Sequence, residues 1–160
     1  VVEKEQYHNK DISSTSIREK ISKGDMAEVN EMLDHPYSVI GRVEHGKQLG
    51  RTINFPTANI IPEAVKLLPP NGVYRTKVVI NGEKFDSITN VGVNPTVESG
   101  KKIKVETNIL DYEGDVYGEI IQVLFFDFIR PERTFSNMEE LKQQIQRDTE
   151  KCRTLAGRKN

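Results

Sequence analysis

VYRTKVVINGEKFDSITN, residues 73–90, sets two runs rich in β-branched and aromatic residues on either side of Asn81-Gly82. An Asn-Gly pair tolerates positive φ at both positions of a two-residue turn, and that turn matches the twist of the strands it joins. The segment therefore predicts a tight hairpin, with Val73 to Ile80 against Glu83 to Asn90. Downstream, Lys102 to Leu110 and Gly118 to Ile129 flank the longer connection Asp111-Tyr112-Glu113-Gly114-Asp115, a second hairpin. The run from Ile120 to Phe128 is apolar enough to predict a strand buried on both faces. Upstream, Tyr37 to His45 reads as a further strand. Phe55-Pro56 then leads into an extended Thr57-Ala58-Asn59, because proline biases the residue before it towards extended geometry. Five or six such strands suggest a closed antiparallel barrel, which leaves no exposed sheet edge.

On either side of these strands the period changes. Met138, Leu141, Ile145, Cys152 and Leu155 share one stripe of a helix from about Met138 to Leu155. Asp148 falls on that stripe and needs a partner if it is buried. At the other end, Val1-Val2 can end a strand, and Glu3 to Lys10 reads as a polar loop. Ser13 or Ser14 caps a helix through about Lys23, which Gly24 terminates. Asp25 caps a second short helix ending near Leu33, before Pro36. Residues 1–36 hold too few large apolar side chains for a core of their own and read as a short helical appendage.

The chain of 160 residues suits one full core plus such an appendage. Its net charge of -1 offers no basic field to gather nucleic acid. One cysteine, Cys152, cannot form an internal disulfide and fits a reducing compartment. No secretory segment or membrane-length apolar run is present. A cytoplasmic protein with neither nucleic-acid nor membrane partners is expected.

The stretch Gly41 to Asn59, GRVEHGKQLGRTINFPTAN, carries the candidate chemistry. Side chains alternate along a strand, so Thr57 and Asn59 point the same way. Two neutral oxygen donors beside a loop with Lys47 and Arg51 suit a magnesium ion that arrives with nucleotide phosphates. Gly41 to Lys47 nearly spells a P-loop, but Gln48 stands where Ser or Thr is required, and Pro56 denies it the following helix. Protein-kinase signatures are absent.

Gly41-x-Val43, Gly46, Gly50-Arg51 and Phe55-Pro56-Thr57-Ala58-Asn59 together resemble the signature of the riboflavin kinase family, above all the flavokinase module of the bacterial bifunctional riboflavin kinase/FAD synthetase. The likeness continues through Asn71-Gly72-Val73-Tyr74, Asn90-Val91-Gly92-x-Asn94-Pro95-Thr96, Val105-Glu106-Thr107, Tyr117-Gly118 and Ile129-Arg130-Pro131-Glu132. It implies a mainly β, six-stranded antiparallel Greek-key barrel over residues 37–160 with a C-terminal α-helix. It also implies transfer of the γ-phosphate of ATP to the 5′-hydroxyl of riboflavin, giving FMN and ADP. On this likeness Glu106 is the catalytic carboxylate. Gly46, Lys47, Arg51, Thr57 and Asn59 bind ATP, and Thr57 and Asn59 also hold Mg2+. Arg130, Arg133 and Asn137 meet the flavin, and the loop from Asp111 to Tyr117 closes over it.

Two departures stand out. Asn108 replaces the histidine usual two residues after the glutamate, and Asn54 replaces the usual glycine before the aromatic-proline pair. Ile12-Ser13-Ser14-Thr15-Ser16-Ile17-Arg18 resembles a motif of the adenylyltransferase module in the same bifunctional enzyme, so residues 1–36 are expected to be the end of such a domain plus a linker. The HxGH-type loop of that module is missing, so this chain is not expected to make FAD. The competing readings are a non-catalytic flavin-binding barrel and a part of an FMN adenylyltransferase.

Overall fold

The computed structural model describes residues 5–44, 57–62, 66–96 and 100–158. Two short strands, β1 (Gln6–Tyr7) and β2 (Lys10–Asp11), pair antiparallel, so part of the expected polar loop is a small hairpin. Its turn is made by His8 and Asn9, both at positive φ (48° and 60°), a pairing that asparagine accepts more readily than most residues. Helix α1 (Ser14–Lys23) begins at Ser13, whose hydroxyl accepts from the Ser16 amide while the Ser16 hydroxyl accepts from the Ser13 amide. Gly24, at φ 77°, ends it in the left-handed geometry that glycine takes without strain. Helix α2 (Met26–Leu33) follows, but Asp25 makes no side-chain capping bond, because its ψ of 64° departs from the extended geometry a capping side chain needs.

These helices do not stand apart from the barrel. Ile21, Met26 and Val29 join one apolar cluster with Tyr37, Val39 and Phe125. Asn30 fastens the junction by donating to the Phe125 carbonyl and accepting from the Tyr37 amide, each at 2.7 Å.

Six strands close the barrel: β3 (Tyr37–Glu44), β4 (Thr57–Pro62), β5 (Gly72–Ile80), β6 (Glu83–Thr96), β7 (Gly100–Ile109) and β8 (Ile120–Arg130). Their order around the wall is β3-β4-β7-β6-β5-β8, all pairs antiparallel. Strands β5, β6 and β7 run as a meander, β4 lies beside β7 and β8 beside β5, which makes two overlapping Greek keys. The β5–β6 hairpin turns at Asn81 and Gly82, with φ 49° and 84°, as the Asn-Gly pair requires.

Strand β8 departs from the expectation of burial on both faces. Ile121, Val123 and Phe125 point inward, while Ile120 is 62% exposed and Phe128 44%. A closed barrel has one interior, so the outer face of a strand is buried only where another element lies on it. On this barrel that element is α3 (Met138–Gly157), which seals Val73, Ile88, Leu110 and Ile129 beneath Cys152 and Leu155. Burial pushes the Cys152 thiol up to about 12. Asp148, on the same helical stripe, is buried and paired with Arg130. The expected second hairpin does not form: β7 pairs with β4 and β6, and β8 with β3 and β5, so the connection between them crosses to the far side of the wall. That connection is packed: Val116 enters the barrel core, Tyr112 meets Phe85 edge-on, and the Gly118 amide donates to the Val43 carbonyl at 2.9 Å.

The barrel interior carries a chain of hydroxyls. Ser87 bonds Thr76 and Thr76 bonds Thr89, both at 2.8 Å, and Thr89 bonds Thr107. Thr107 donates onward to the Ile88 carbonyl at 3.4 Å. A hydroxyl has one proton to give, so this end fixes the direction of the chain: Ser87 to Thr76 to Thr89 to Thr107. Each buried hydroxyl is thereby satisfied, as an apolar interior demands. Among the described residues, no helix is long and apolar enough to cross a membrane.

Candidate active site

Alternation along β4 puts Ala58 and Ile60 in the core and turns Thr57 and Asn59 outward. Strand β7 does the same with Val105 and Thr107 inward, Glu106 and Asn108 outward. The β4–β7 register sets Thr57 opposite Asn108 and Asn59 opposite Glu106. Directly opposed residues share a face with Cβ atoms roughly 5 Å apart. Four polar side chains thus occupy the corners of a small rectangle on the outer wall, the candidate phosphate end of the site.

The row does not stop there. Asn90 on β6 stands opposite Glu106, Val73 on β5 opposite Asn90, and Arg130 on β8 opposite Val73. Asn59, Glu106, Asn90, Val73 and Arg130 therefore form one line across five strands. With strands ~4.8 Å apart, Glu106 and Arg130 lie about 14 Å from each other along it. The line is not continuous surface: Val73, between Asn90 and Arg130, is covered by α3, which also holds Arg130 through Asp148.

Each of these side chains has surroundings that bear on what it can do. Lys104 lies 2.7 Å from the Glu106 carboxylate, one step along the same face of β7. Glu106 retains part of its surface, with the side chain 23% exposed. Arg130 is held by Asp148, its Nε donating to both carboxylate oxygens (3.1 and 3.0 Å) and Nη2 to one of them at 2.9 Å, while Nη1 donates to the Pro131 carbonyl. Its orientation is fixed from behind by the helix. Arg133 lies over Phe135, 5.2 Å from the ring centre, and donates to Gln144 at 3.2 Å. Asn137 caps α3, its Oδ1 accepting from the Glu140 amide at 2.9 Å. That role engages the oxygen in the helix cap. Gly46, Lys47, Arg51 and Asn54 lie outside the described residues.

Two features escaped the sequence reading. Gly92, outward on β6 and opposite Lys104, is covered by Glu132: a Cβ at Gly92 would sit 2.3 Å from a carboxylate oxygen. Glycine here makes room for Glu132 to fold back over the wall. Asn90 is the second. Among the described residues its buried Oδ1 has no hydrogen-bond partner. The NVG block that holds both residues was visible, but the place of Asn90 depends on the β6–β7 register, and the sequence reading did not pair these two strands.

A magnesium ion prefers oxygen ligands and commonly takes most of them from phosphate and water. Thr57 and Asn59 offer neutral oxygens beside the Glu106 carboxylate, a donor set that fits such an ion. Among the described residues no three His, Cys, Asp or Glu side chains gather into a metal cage.

Comparison with known proteins shows the family. A family model described as riboflavin kinase matches residues 33–156. A bifunctional riboflavin kinase/FMN adenylyltransferase of Listeria monocytogenes is 38% identical over 155 residues, 97% of this chain and 49% of that protein. A Streptococcus pneumoniae structure described as a macrolide-efflux protein superposes with a TM-score of 0.89 at 36% identity, over 95% of this chain and 50% of that one. Riboflavin kinase from Trypanosoma brucei shares the fold at a TM-score of 0.52 and 23% identity, over 75% of this chain and 79% of that one. The chain spans about half the length of the curated relatives it matches.

Proposed function

The chain belongs to the riboflavin kinase family, and from that premise we propose that it transfers the γ-phosphate of ATP to the 5′-hydroxyl of riboflavin, releasing FMN and ADP. The observation that carries this reading is the cluster on β4 and β7, where Thr57 and Asn59 stand in register beside Asn108 and the Glu106 carboxylate. Neutral oxygens next to a carboxylate suit a nucleotide phosphate and the hydroxyl that attacks it.

Glu106 accepts the proton of the attacking hydroxyl as the new phosphorus–oxygen bond forms and the bond to ADP breaks. Carboxylates are ionised at neutral pH and able to do this. Lys104 holds the carboxylate in place from the side. A loose phosphoryl-transfer transition state asks little of the base and much of positioning and charge neutralisation. Thr57 and Asn59 would hold the magnesium ion that accompanies ATP, which would supply charge neutralisation at the phosphates when bound. Arg130, locked by Asp148, presents a fixed planar guanidinium to the flavin ring. Arg133 and Asn137 complete that end. Gly46, Lys47 and Arg51 are assigned to the ATP phosphates on the resemblance alone.

Residues 1–36 we read as the end of an adenylyltransferase unit leading into the kinase barrel. The Ile12 to Arg18 motif supports this, and the relatives' names carry that second activity.

The test is chromatographic detection of FMN from riboflavin and magnesium-ATP. FMN formation is expected. Riboflavin binding without FMN would instead support a flavin-binding barrel that does no chemistry.

A further inference from the structure

Two ion pairs at the candidate site cancel their own charge at short range. Lys104 pairs with Glu106 at 2.7 Å, and Asp148 pairs with Arg130 at 2.9 Å. Arg133 is turned towards α3, where it donates to Gln144 and lies over Phe135. Glu132 is different. It is exposed, and among the described residues no cation lies within ion-pair distance of its carboxylate. Nor does it trail into solvent. One of its oxygens lies only 2.3 Å from where a Cβ on Gly92 would be, so the carboxylate rests on the bare backbone of β6. Gly92 stands opposite Lys104, two residues along β7 from Glu106. Strand spacing and rise put the Glu132 seat roughly 8 Å from the Glu106 position on the same outer face.

We infer that Glu132 is a specificity-determining residue: its unpaired carboxylate disfavours a flavin that already carries a phosphate, and so selects riboflavin over FMN. This rests on the riboflavin kinase reading and deepens it. The hydroxyl phosphorylated beside Glu106 becomes, in the product, a phosphate monoester with nearly two negative charges at neutral pH. The field of an ion pair falls off steeply because its charges cancel, whereas that of a lone carboxylate does not. At roughly 8 Å through water, one such carboxylate weakens the binding of a dianion about fivefold and leaves a neutral molecule untouched. Gly92 supplies the seat, since any larger residue there would push the carboxylate away.

The experiment titrates riboflavin and FMN into native protein, Glu132→Gln and Gly92→Ala by quenching of flavin fluorescence, without nucleotide or metal. The quantity read is the ratio of the two affinities. Glu132→Gln keeps the shape of the side chain and removes its charge. It should shift the ratio about fivefold towards FMN at ~0.01 M salt. At ~1 M salt, where charges are screened within about 3 Å, the native and variant ratios should agree. Gly92→Ala displaces the carboxylate and should shift the ratio in the same direction. Glu132 is exposed, so Glu132→Gln decides the matter if Gly92→Ala folds poorly. The native ratio in Glu132→Gln or in a folded Gly92→Ala, or a shift that persists at ~1 M salt, would overturn the inference while leaving the kinase reading intact. Failure of the native protein to bind riboflavin would overturn both.

Discussion

Glu106 and Thr107 are neighbours on β7, yet they face opposite sides of the barrel wall and opposite chemical demands. Inside, Thr107 ends a one-way chain of four hydroxyls, each satisfied by the next. Outside, Glu106 faces away from the core, its partly exposed carboxylate paired with Lys104 and set in register beside Asn59, with Thr57 on the same face. The same strands supply both sets. Polar groups inside the wall bond to one another and hold the fold, while the candidate catalytic groups face outward, where a ligand can reach them.

The strongest challenge to that contrast lies at Asp148, an ion pair that α3 makes with Arg130 on the outer face. Asp148→Ala strands the Arg130 guanidinium and should cost ~3–5 kcal/mol, read from the urea midpoint. A loss below 1 kcal/mol would mean that Asp148 does not hold Arg130 in place. Within the closed set, Thr89→Val removes the middle of the hydroxyl chain and leaves Thr76 without an acceptor. It should lower stability by ~2 kcal/mol by the same measurement, with FMN formation unchanged well below the melting point.

Where α3 seals the outer wall, pH gives a third handle. Burial raises the Cys152 thiol to about 12 from an ordinary value near 8.5, so the folded state holds a proton that the unfolded state gives up. That contribution is complete below about pH 8.5 and is lost as pH rises towards 12. Unfolding at pH 7.5 and 9.5 should show a drop of about 1 kcal/mol that disappears in Cys152→Ala. Smallest of all, Lys104→Met removes a partly exposed pair and should slow FMN formation only a few fold, about 0.5 kcal/mol.

Much of the barrel was legible because its signals are local. Asn81-Gly82 fixes both a turn and the β5–β6 register, and alternation alone turned Thr57, Asn59 and Glu106 to one side each. Ser13 and Gly24 marked the ends of α1 for the same reason. What stayed hidden is non-local. The β4–β7 pairing that sets Asn59 opposite Glu106 joins segments far apart in the chain, and no turn announces it. Strand β8 read as buried throughout, because an apolar sequence does not reveal where α3 stops covering it and Phe128 emerges. The β1–β2 hairpin was missed because His8-Asn9 is a weaker turn signal than Asn-Gly.

The most direct measurement pairs FMN formation with thermal melting for Glu106→Gln and Thr107→Val, two adjacent residues on opposite faces. The contrast predicts that Glu106→Gln loses about 100-fold in rate or more with its melting temperature nearly unchanged. Thr107→Val should melt lower and keep its rate within twofold at temperatures where it stays folded. An active Glu106→Gln, or a folded Thr107→Val that makes no FMN, would contradict the division of the wall into an inner face that holds the fold and an outer face that does the chemistry.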